Sequence, residues 1–467
     1  MKSTLSRVLL CIAIGTTLLT LILSPLYARA DDLTTTHFPE EELHSYIQDA
    51  TSKLSLPGMA VAISQNGELL FSEGYGNDIS PDTIFYIGSI SKSFTALAIM
   101  QLVEQKLISL DTSVSTYLSE FKVSDDITIR HLLNQTSGMS EAGYMPSLPP
   151  SASFDELIAD MNNMTLTNTP GEEFVYFNQN YSLLGAVVEA VSQQPYPDYM
   201  QDYVFHPLGL TKTSAKGVIE IPGHMSFFGF SIPRVEPFSN YDLPGGYITS
   251  TVNDMISYLD LIQSRDSVLG ISPDAVELLL GTAPYGMGWM SGTFAGHQAV
   301  HHGGSLPGYV ADAIMLTEEG YNITFLTNKN HLTSGFFMYP EFSRGIVSIL
   351  TNQSPANPFN RIWIFRVLFV LFILNLFSIT RNIVRQIKSK REYTLAKRFK
   401  AILFNLAIPI SVYLLVPIAS YNLLGRGMTW QLAFLLLPDL IGWLFIGMAS
   451  HIIIASIHIT KAIKEIK

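Results

Sequence analysis

The chain has 467 residues, of which 48% are hydrophobic and 14% are charged, and its mean hydropathy is +0.26. A charged fraction well below the roughly 25% that is usual for soluble domains argues against a wholly water-exposed protein and against disorder. The net charge of −11 conceals three regions, with +3 over residues 1–30, −25 over residues 31–355 and +11 over residues 356–467. A middle region this acidic is a poor candidate for nucleic-acid binding, which needs a basic surface. Cys11 is the sole cysteine, which excludes intrachain disulfides and multi-cysteine metal sites.

The N-terminus has the parts of an export signal. Two basic residues precede a largely apolar run over residues 8–23, and Ala28 and Ala30 place small side chains where a signal peptidase reads them. Residues 1–30 are therefore predicted to be a cleaved signal peptide. Because the apolar run is long for a signal core, an uncleaved N-terminal anchor is the alternative.

The region over residues 31–355 opens with a predicted hairpin. Two apolar runs, residues 59–63 and 69–71, flank Asn66-Gly67, which is the strongest kind of short-range hairpin signal. Other stretches carry apolar residues at helical spacing. Helices are predicted over residues 41–54, 89–107 and 180–192.

A second hairpin closes this region. Residues 309–316 and 321–326 alternate or run apolar on either side of a Glu-Glu-Gly turn. Strands at both ends with helices between them indicate one sheet built from the two ends of the region. The predicted fold class is α+β, with an antiparallel sheet flanked by helices and an inserted helical subdomain.

Residues 356–467 are predicted to form a membrane domain of three helices. Three apolar stretches approach or exceed the ~20 residues that cross a bilayer as a helix. They cover residues 362–379, 401–424 and 432–459. A dense basic segment over residues 381–400 is cytoplasmic by the positive-inside rule. Residues 31–355 then lie outside the membrane, in agreement with the export signal, and membrane lipid is a predicted partner.

Two ionisable residues fall within these apolar stretches. Arg366 lies near the outer end of the first stretch, and Asp439 lies about eight residues into the third. Ionisable groups inside a membrane are costly and are usually paired or functional. The two residues could pair with each other, or each could reach separately to the lipid headgroups.

The first candidate catalytic motif is Ser89-Ile90-Ser91-Lys92, at the start of a predicted helix. Ser89 and Lys92 are three residues apart and so share one helix face. Ser89 lies near the positive end of the helix, which favours a developing negative charge. A buried lysine can lose its proton and act as a base, because burial disfavours the charged form. Alone, the motif is equally compatible with an ordinary amphipathic helix.

Two further motifs are candidates for the same site. Tyr176-Phe177-Asn178 occupies a loop before a predicted helix, where a tyrosine can relay protons and an asparagine can bind an amide carbonyl. His302-Gly303-Gly304-Ser305 precedes the closing hairpin, where glycines allow a ligand to approach an edge strand closely. The adjacent pair His301-His302 is not a useful metal spacing, and no metal or cofactor is predicted.

In this order and spacing, the three motifs resemble those of the serine β-lactamase and penicillin-binding protein superfamily, where S-x-x-K, a second polar triplet and a K-T-G element build one site. The most similar branch comprises the class C β-lactamases with their D-alanyl-D-alanine peptidase and esterase relatives, which have Tyr-x-Asn second and often His-x-Gly third. The resemblance covers about residues 40–350. It implies a serine β-lactamase-like fold and a serine hydrolase domain over residues 31–355.

The resemblance also implies the catalytic roles. Ser89 would be the nucleophile that becomes acylated, and Lys92 and Tyr176 would share the work of general base and proton relay. No cofactor takes part in this chemistry.

Substrate-binding roles follow from the same resemblance. Asn178 would hold the amide of the substrate, and His302, in the place of the lysine of K-T-G, would orient the substrate or its carboxylate. Gly304 would let the substrate approach the strand. The backbone N–H groups of Ser89 and Ser305 would form the oxyanion hole, in which one donor typically contributes ~3 kcal/mol to the barrier.

One departure from the family pattern is Gln135, where the family usually has histidine, and no catalytic role is assigned to it. Residues 139–170 and 218–244 are predicted to form loops that wall the pocket. An aromatic cluster in the second loop is expected to pack beneath that loop more readily than to stack on substrate. Its members are Phe227, Phe228, Phe230, Phe238 and Tyr241.

The resulting functional hypothesis is a bacterial multi-pass membrane protein with an extracytoplasmic serine hydrolase domain. It would act through an acyl-enzyme on D-amino-acid peptides, esters or β-lactams. One alternative is an N-acyl-D-amino-acid peptidase that activates an antibiotic or toxin precursor, although such enzymes resemble this chain less at Asn178, where they have serine. A different alternative is a non-catalytic receptor that binds cell wall.

Overall fold

A computed structural model describes most of residues 38–466. The residues left out are 145–147, 218, 282–284, 332–334, 336–337, 356–362, 390–392, 425–429, 431–432 and 435–436. The predicted signal peptide, residues 1–30, lies outside the described residues.

The centre of the structure is a six-stranded antiparallel sheet with the strand order β2-β1-β10-β9-β8-β7. Its strands are β1 (Gly58–Gln65), β2 (Glu68–Gly76), β7 (Met290–Phe294), β8 (His297–Leu306), β9 (Tyr309–Leu316) and β10 (Tyr321–Thr327). Both predicted hairpins are confirmed, as β1–β2 and β9–β10. The first turns at Asn66 and Gly67, whose φ angles of 51° and 83° suit the Asn-Gly pair. Because β1 pairs with β10, the two ends of the region form one sheet, as the sequence predicts.

Helices cover both faces of this sheet. The described helices before residue 356 are α1 (Glu40–Lys53), α2 (Ser91–Glu104), α3 (Val114–Tyr117), α4 (Ile129–Leu133), α5 (Phe154–Met161), α6 (Gln179–Ser192), α7 (Tyr196–Tyr199), α8 (Val252–Ser264), α9 (Pro273–Leu280) and α10 (Tyr339–Leu350). Strand β9 is buried throughout because its side chains alternate between two cores. Val310 and Ile314 pack with α1 and α10, whereas Ala311 and Ala313 face the larger helical core around α2 and α6.

Short strands join this helical region to the sheet. They are β3 (Phe85–Tyr86), β4 (Gly223–Phe227), β5 (Phe230–Arg234), β6 (Thr249–Ser250) and β11 (Lys329–Asn330). β3 pairs with β6 immediately before α2, and β11, β4 and β5 form a small separate sheet. β11 directly follows the last strand of the main sheet, so the small sheet is attached to the main one.

Three of the described helices are long and apolar enough to cross a membrane. They are α11 (Trp363–Lys388), α12 (Leu395–Leu424) and α13 (Pro438–Ile466). α13 begins at Pro438, so Asp439 lies in its first turn and not eight residues inside it. The suggested pairing of Arg366 with Asp439 is also wrong, because Asp439 forms its ion pair with His331.

Asp312 on β9 supplies a test of the packing between the sheet and α10. Burial raises the pKa of this carboxyl group to about 7, and the Ser343 hydroxyl on α10 donates a hydrogen bond to it. Between about pH 4 and pH 7 the folded protein therefore holds a proton that the unfolded chain has released. The free energy of unfolding must fall as the pH rises through this window, by a few kcal/mol at most.

We predict that Asp312→Asn, which stays neutral, removes this part of the pH dependence and makes the protein relatively more stable at pH 8. Thermal unfolding of the detergent-solubilised protein between pH 4.5 and 8 measures the effect. The exposed Asp78, changed to Asn, is the control and should keep the wild-type slope. An unchanged slope in Asp312→Asn would show that this carboxyl is not held neutral by the fold.

Candidate active site

Ser89 and Lys92 lie at the junction between a short 3-10 turn, Gly88–Ile90, and the first turn of α2. The Lys92 side chain is fully buried, whereas Ser89 is half-buried and lines a cavity. Their three-residue spacing brings the Lys92 Nζ to 3.2 Å from the Ser89 Oγ. The predicted pairing of the two side chains is therefore present in the structure.

The Lys92 amine is held by two further oxygen atoms. Its Nζ donates to the backbone carbonyl of Gly245 at 2.6 Å and to the Asn178 Oδ1 at 2.9 Å. In its neutral form the amine would donate its two N–H bonds to these acceptors and direct its lone pair at the Ser89 hydroxyl. The arrangement can accept a proton from Ser89, as a general base does.

The Gly245 carbonyl is positioned by α2 itself. The Thr95 Oγ1 donates to the carbonyl of Pro244 at 2.7 Å, and the Ser91 Oγ accepts from the backbone N–H of Ile248 at 3.1 Å. Leu243–Tyr247 is thereby tied to the helix that carries Lys92. Ser91, which lies between Ser89 and Lys92, thus has a structural role that the S-x-x-K motif does not indicate.

Tyr176 and Asn178 approach the same amine from the loop before α6. Asn178 precedes the helix without capping it through its side chain, so its Oδ1 is available to Lys92. The centre of the Tyr176 ring lies 5.0 Å from the Lys92 Nζ. Both residues are half-buried and line the cavity with Ser89. The structure therefore brings these four predicted residues together.

Gln135 holds this loop in place. It is buried and has a positive φ of 60°. Its side-chain Oε1 accepts from the backbone N–H of Phe177 at 3.0 Å and from the Asn180 Nδ2 at 2.5 Å, while its backbone carbonyl accepts from the N–H of Val175. Gln135 is a positioning residue for Tyr176 that the sequence analysis missed. The sequence feature that could have pointed to it is the glutamine at a position where the family usually has histidine.

Strand β8 runs past Ser89 at very short range, and glycines make this possible. A Cβ atom on Gly304 would lie 1.9 Å from the Ile87 carbonyl oxygen, and one on Gly88 would lie 2.4 Å from the Ser305 backbone nitrogen. Gly88 also has a φ of 54°, which favours glycine. The Ser305 backbone nitrogen is thus close to the turn that carries Ser89.

His302 lies beside Tyr176, with 6.3 Å between the two ring centres. It is buried and does not line the cavity, because its Nδ1–H donates to the Gly303 carbonyl at 2.8 Å and its Nε2 accepts from the Tyr285 hydroxyl at 3.1 Å. Burial, followed by the Lys92 charge, lowers the His302 pKa to about 3. The imidazole is therefore neutral at physiological pH and supplies no fixed positive charge.

The cavity beside Ser89 has a volume of about 750 Å³, within the usual range for small-molecule sites. Residues of β8 and of α10 line it, and Arg344 of α10 is a cationic lining residue. Glu141 lines it from the first predicted wall, whereas no described residue of 219–244 does. Among the described residues, no cluster of three His, Asp or Glu side chains could hold a metal ion.

The fold has clear counterparts among known proteins. The β-lactamase family model matches residues 43–341, and the chain therefore belongs to the β-lactamase family, a fold family of hydrolases that includes penicillin-binding-like proteins. Protein flp of Staphylococcus aureus strain MW2 is 25% identical over 451 residues, which cover 86% of each chain. That coverage exceeds the matched domain, so the likeness to protein flp extends beyond it.

Two solved structures share the fold. The octameric penicillin-binding protein homologue from Pyrococcus abyssi superposes with a TM-score of 0.60 and 27% identity over 70% of this chain and 81% of its own. A D-stereospecific amidohydrolase from a Streptomyces species has a TM-score of 0.53 and 22% identity over 62% of this chain and 95% of its own. The second likeness shows the fold alone.

We predict that Gly304→Ala lowers the rate of acylation about a hundredfold, because the new methyl group forces β8 away from Ile87 and displaces an oxyanion donor. Single-turnover acylation by an active-site probe measures the rate. The matched change is Gly303→Ala, in which the new Cβ would meet its nearest atoms at 4.0 Å, so a much smaller loss is expected. Equal losses in both variants would contradict the close-approach argument.

Proposed function

We propose that this protein is a membrane-tethered serine hydrolase that acts through an acyl-enzyme on D-amino-acid peptides, esters or β-lactams outside the cell. The observation that carries this proposal is the 3.2 Å contact between the Lys92 Nζ and the Ser89 Oγ, in a buried site where the same amine is also held by Asn178 and the Gly245 carbonyl. Membership of a hydrolase fold family supports the same chemistry.

In the proposed first step, the Ser89 Oγ attacks the substrate carbonyl carbon while its proton passes to the Lys92 Nζ. The carbonyl oxygen becomes an oxyanion that the N–H groups of Ser89 and Ser305 stabilise. Collapse of this intermediate breaks the bond to the leaving group, which receives the proton by way of Lys92 and Tyr176. Water then attacks the ester carbonyl by the reverse route and releases Ser89.

The extracellular location is supported by the three apolar helices and by the charge of the connecting segment. The segment over residues 381–400 is strongly basic and joins the first helix to the second, which favours a cytoplasmic position. The catalytic domain precedes the first helix and would then lie on the opposite side of the membrane, where bacterial cell-wall peptides are found.

The cavity charge bears on the kind of substrate. Because His302 is neutral, a substrate carboxylate would need another cation, and Arg344 is the cationic side chain among the described lining residues. A guanidinium forms strong paired hydrogen bonds with a carboxylate. We therefore favour acyl-D-amino-acid substrates with a free carboxylate at the end of the leaving group.

We predict that Ser89→Ala abolishes covalent labelling by fluorescent penicillin and by a fluorophosphonate, and that Lys92→Met slows labelling by at least a hundredfold. Methionine fills the space of the buried Lys92 stem without an amine. The measurement is in-gel fluorescence over time, with thermal unfolding as a check of folding. A folded wild-type protein that takes neither label would favour the non-catalytic receptor, and wild-type labelling in Lys92→Met would refute the assigned base.

We predict that Arg344→Gln raises KM about tenfold for a D-alanyl peptide with a free carboxylate and leaves KM unchanged for the same peptide as its amide. The reason is the loss of one charge-assisted interaction, worth about 1.5 kcal/mol. Steady-state hydrolysis of the paired peptides measures the difference. Equal effects on both peptides would exclude Arg344 as the carboxylate site. N-acyl-D-asparagine peptides in the same panel test the precursor-activating alternative.

A further inference from the structure

A carboxylate of the membrane domain is fully buried against the catalytic domain. Asp439, in the first turn of α13, and His331, just after β11, are 0% and 1% exposed. The Asp439 Oδ2 accepts from the backbone N–H of Phe228 at 2.8 Å, and its Oδ1 accepts from the His331 Nε2 at 3.2 Å and from the N–H of Leu440. A buried carboxylate is costly unless such donors satisfy it. Two of the three donors come from the catalytic domain.

The turn between β4 and β5 brings one of these donors to the membrane helices. The Phe228 ring stacks on Phe372 of α11 with 5.2 Å between the ring centres, and it lies 6.1 Å from Trp443 of α13. The Arg366 guanidinium lies 3.9 Å from the centre of the Phe230 ring. The aromatic cluster predicted to pack beneath a pocket loop thus contacts the membrane helices through this turn.

The other donor, His331, is adjacent in the chain to a residue that lines the candidate active site. His331 follows Asn330, the last residue of β11, which pairs in parallel with β4. The Asn330 Nδ2 donates to the Ser305 Oγ at 2.8 Å and to the Leu306 carbonyl at 2.7 Å. Asn330 also lines the cavity. It therefore braces the end of β8 at Ser305, whose backbone nitrogen lies close to Gly88 in the turn that carries Ser89.

We propose that Asp439 of the membrane helix α13 is a positioning residue for the oxyanion hole, acting through His331 and Asn330 on Ser305. In this arrangement the membrane domain holds β8 at the short distance from Ser89 that acylation needs. The inference rests on the proposed function in that it assigns the Ser305 N–H to the oxyanion. If Asp439 only held the two domains together, its substitution would lower stability without selectively slowing the chemical step.

The test uses the full chain in lipid nanodiscs, with binding and acylation by a chromogenic cephalosporin separated by stopped flow. Asp439→Asn replaces one of the two accepting oxygens by an NH2 group. Whichever oxygen is replaced, a donor then faces a donor, either the Phe228 N–H or His331, and that hydrogen bond is lost. We expect its acylation rate to fall about tenfold while the binding constant changes less than twofold. The matched control is Asn375→Ala, which removes the bond from the Trp443 Nε1 to Asn375 inside the helix bundle and should leave acylation unchanged.

Two further variants keep the inference testable if Asp439→Asn is unstable. His331→Gln retains a side-chain N–H donor and should keep most of the acylation rate, whereas His331→Leu should lose about as much as Asp439→Asn. Asn330→Ala should also lower the rate, and adding Asp439→Asn to it should cost less than a further twofold, since both act on Ser305. Independent, multiplicative losses would overturn the proposed connection.

Amide hydrogen exchange over residues 303–306 separates this inference from the proposed function. We expect exchange there to be at least fivefold faster in Asp439→Asn than in Asn375→Ala. If the wild-type protein takes no Ser89-dependent label, the hydrolase proposal fails while faster exchange would still support the positioning role. If exchange and acylation are both unchanged in Asp439→Asn, the positioning role is refuted whatever the enzyme does.

Discussion

The active site depends on one buried amine. Lys92 is fully enclosed, and an enclosed amine is tolerated only when its N–H bonds find acceptors. Its oxygen neighbours are Ser89 one turn away, Asn178 before α6, and the Gly245 carbonyl, which is more than 150 residues distant in the chain. Three segments must therefore pack together before the amine is satisfied. The contacts that satisfy the buried amine also place it beside the Ser89 hydroxyl. The same atoms therefore contribute to the stability of the fold and to the proposed chemistry.

The parts of this protein that could be predicted from sequence are those with local signals. Asn66-Gly67 requires two positive φ angles, and the hairpin it predicts is present. Ser89 and Lys92 meet because three residues make about one helical turn, a constraint that needs no tertiary information. Apolar length alone identifies the three C-terminal helices, although the start of the third was placed too early. In each case the determining interaction lies within a few residues of the motif.

The rest could not be predicted because it depends on contacts between distant segments. His302 looks like a ligand-binding residue from its place beside two glycines, yet its imidazole is buried against Tyr176 and does not line the cavity. The Tyr285 hydroxyl donates a hydrogen bond to it, and burial lowers its pKa. Gln135 gains its importance only from the loop that folds over it. Asp439 is 108 residues from its partner His331, whereas the sequence analysis offered only Arg366 or the lipid headgroups as its partner. Apolar patterns predict how deeply a residue is buried, but they do not predict which distant residue it contacts.

The buried Asp439 changes what the membrane helices are expected to do. A tether needs only length and apolarity, and a carboxylate in the first turn of a tether would face water or headgroups at little cost. Here that carboxylate is enclosed and depends on donors from the catalytic domain, so separating the two domains would leave it unsatisfied. The catalytic domain is therefore expected to keep one orientation relative to the helices. Asn330 donates to Ser305 one residue from that contact, so the proposed positioning role would couple the orientation of these helices to the position of Ser305 beside Ser89 through adjacent residues of a single chain.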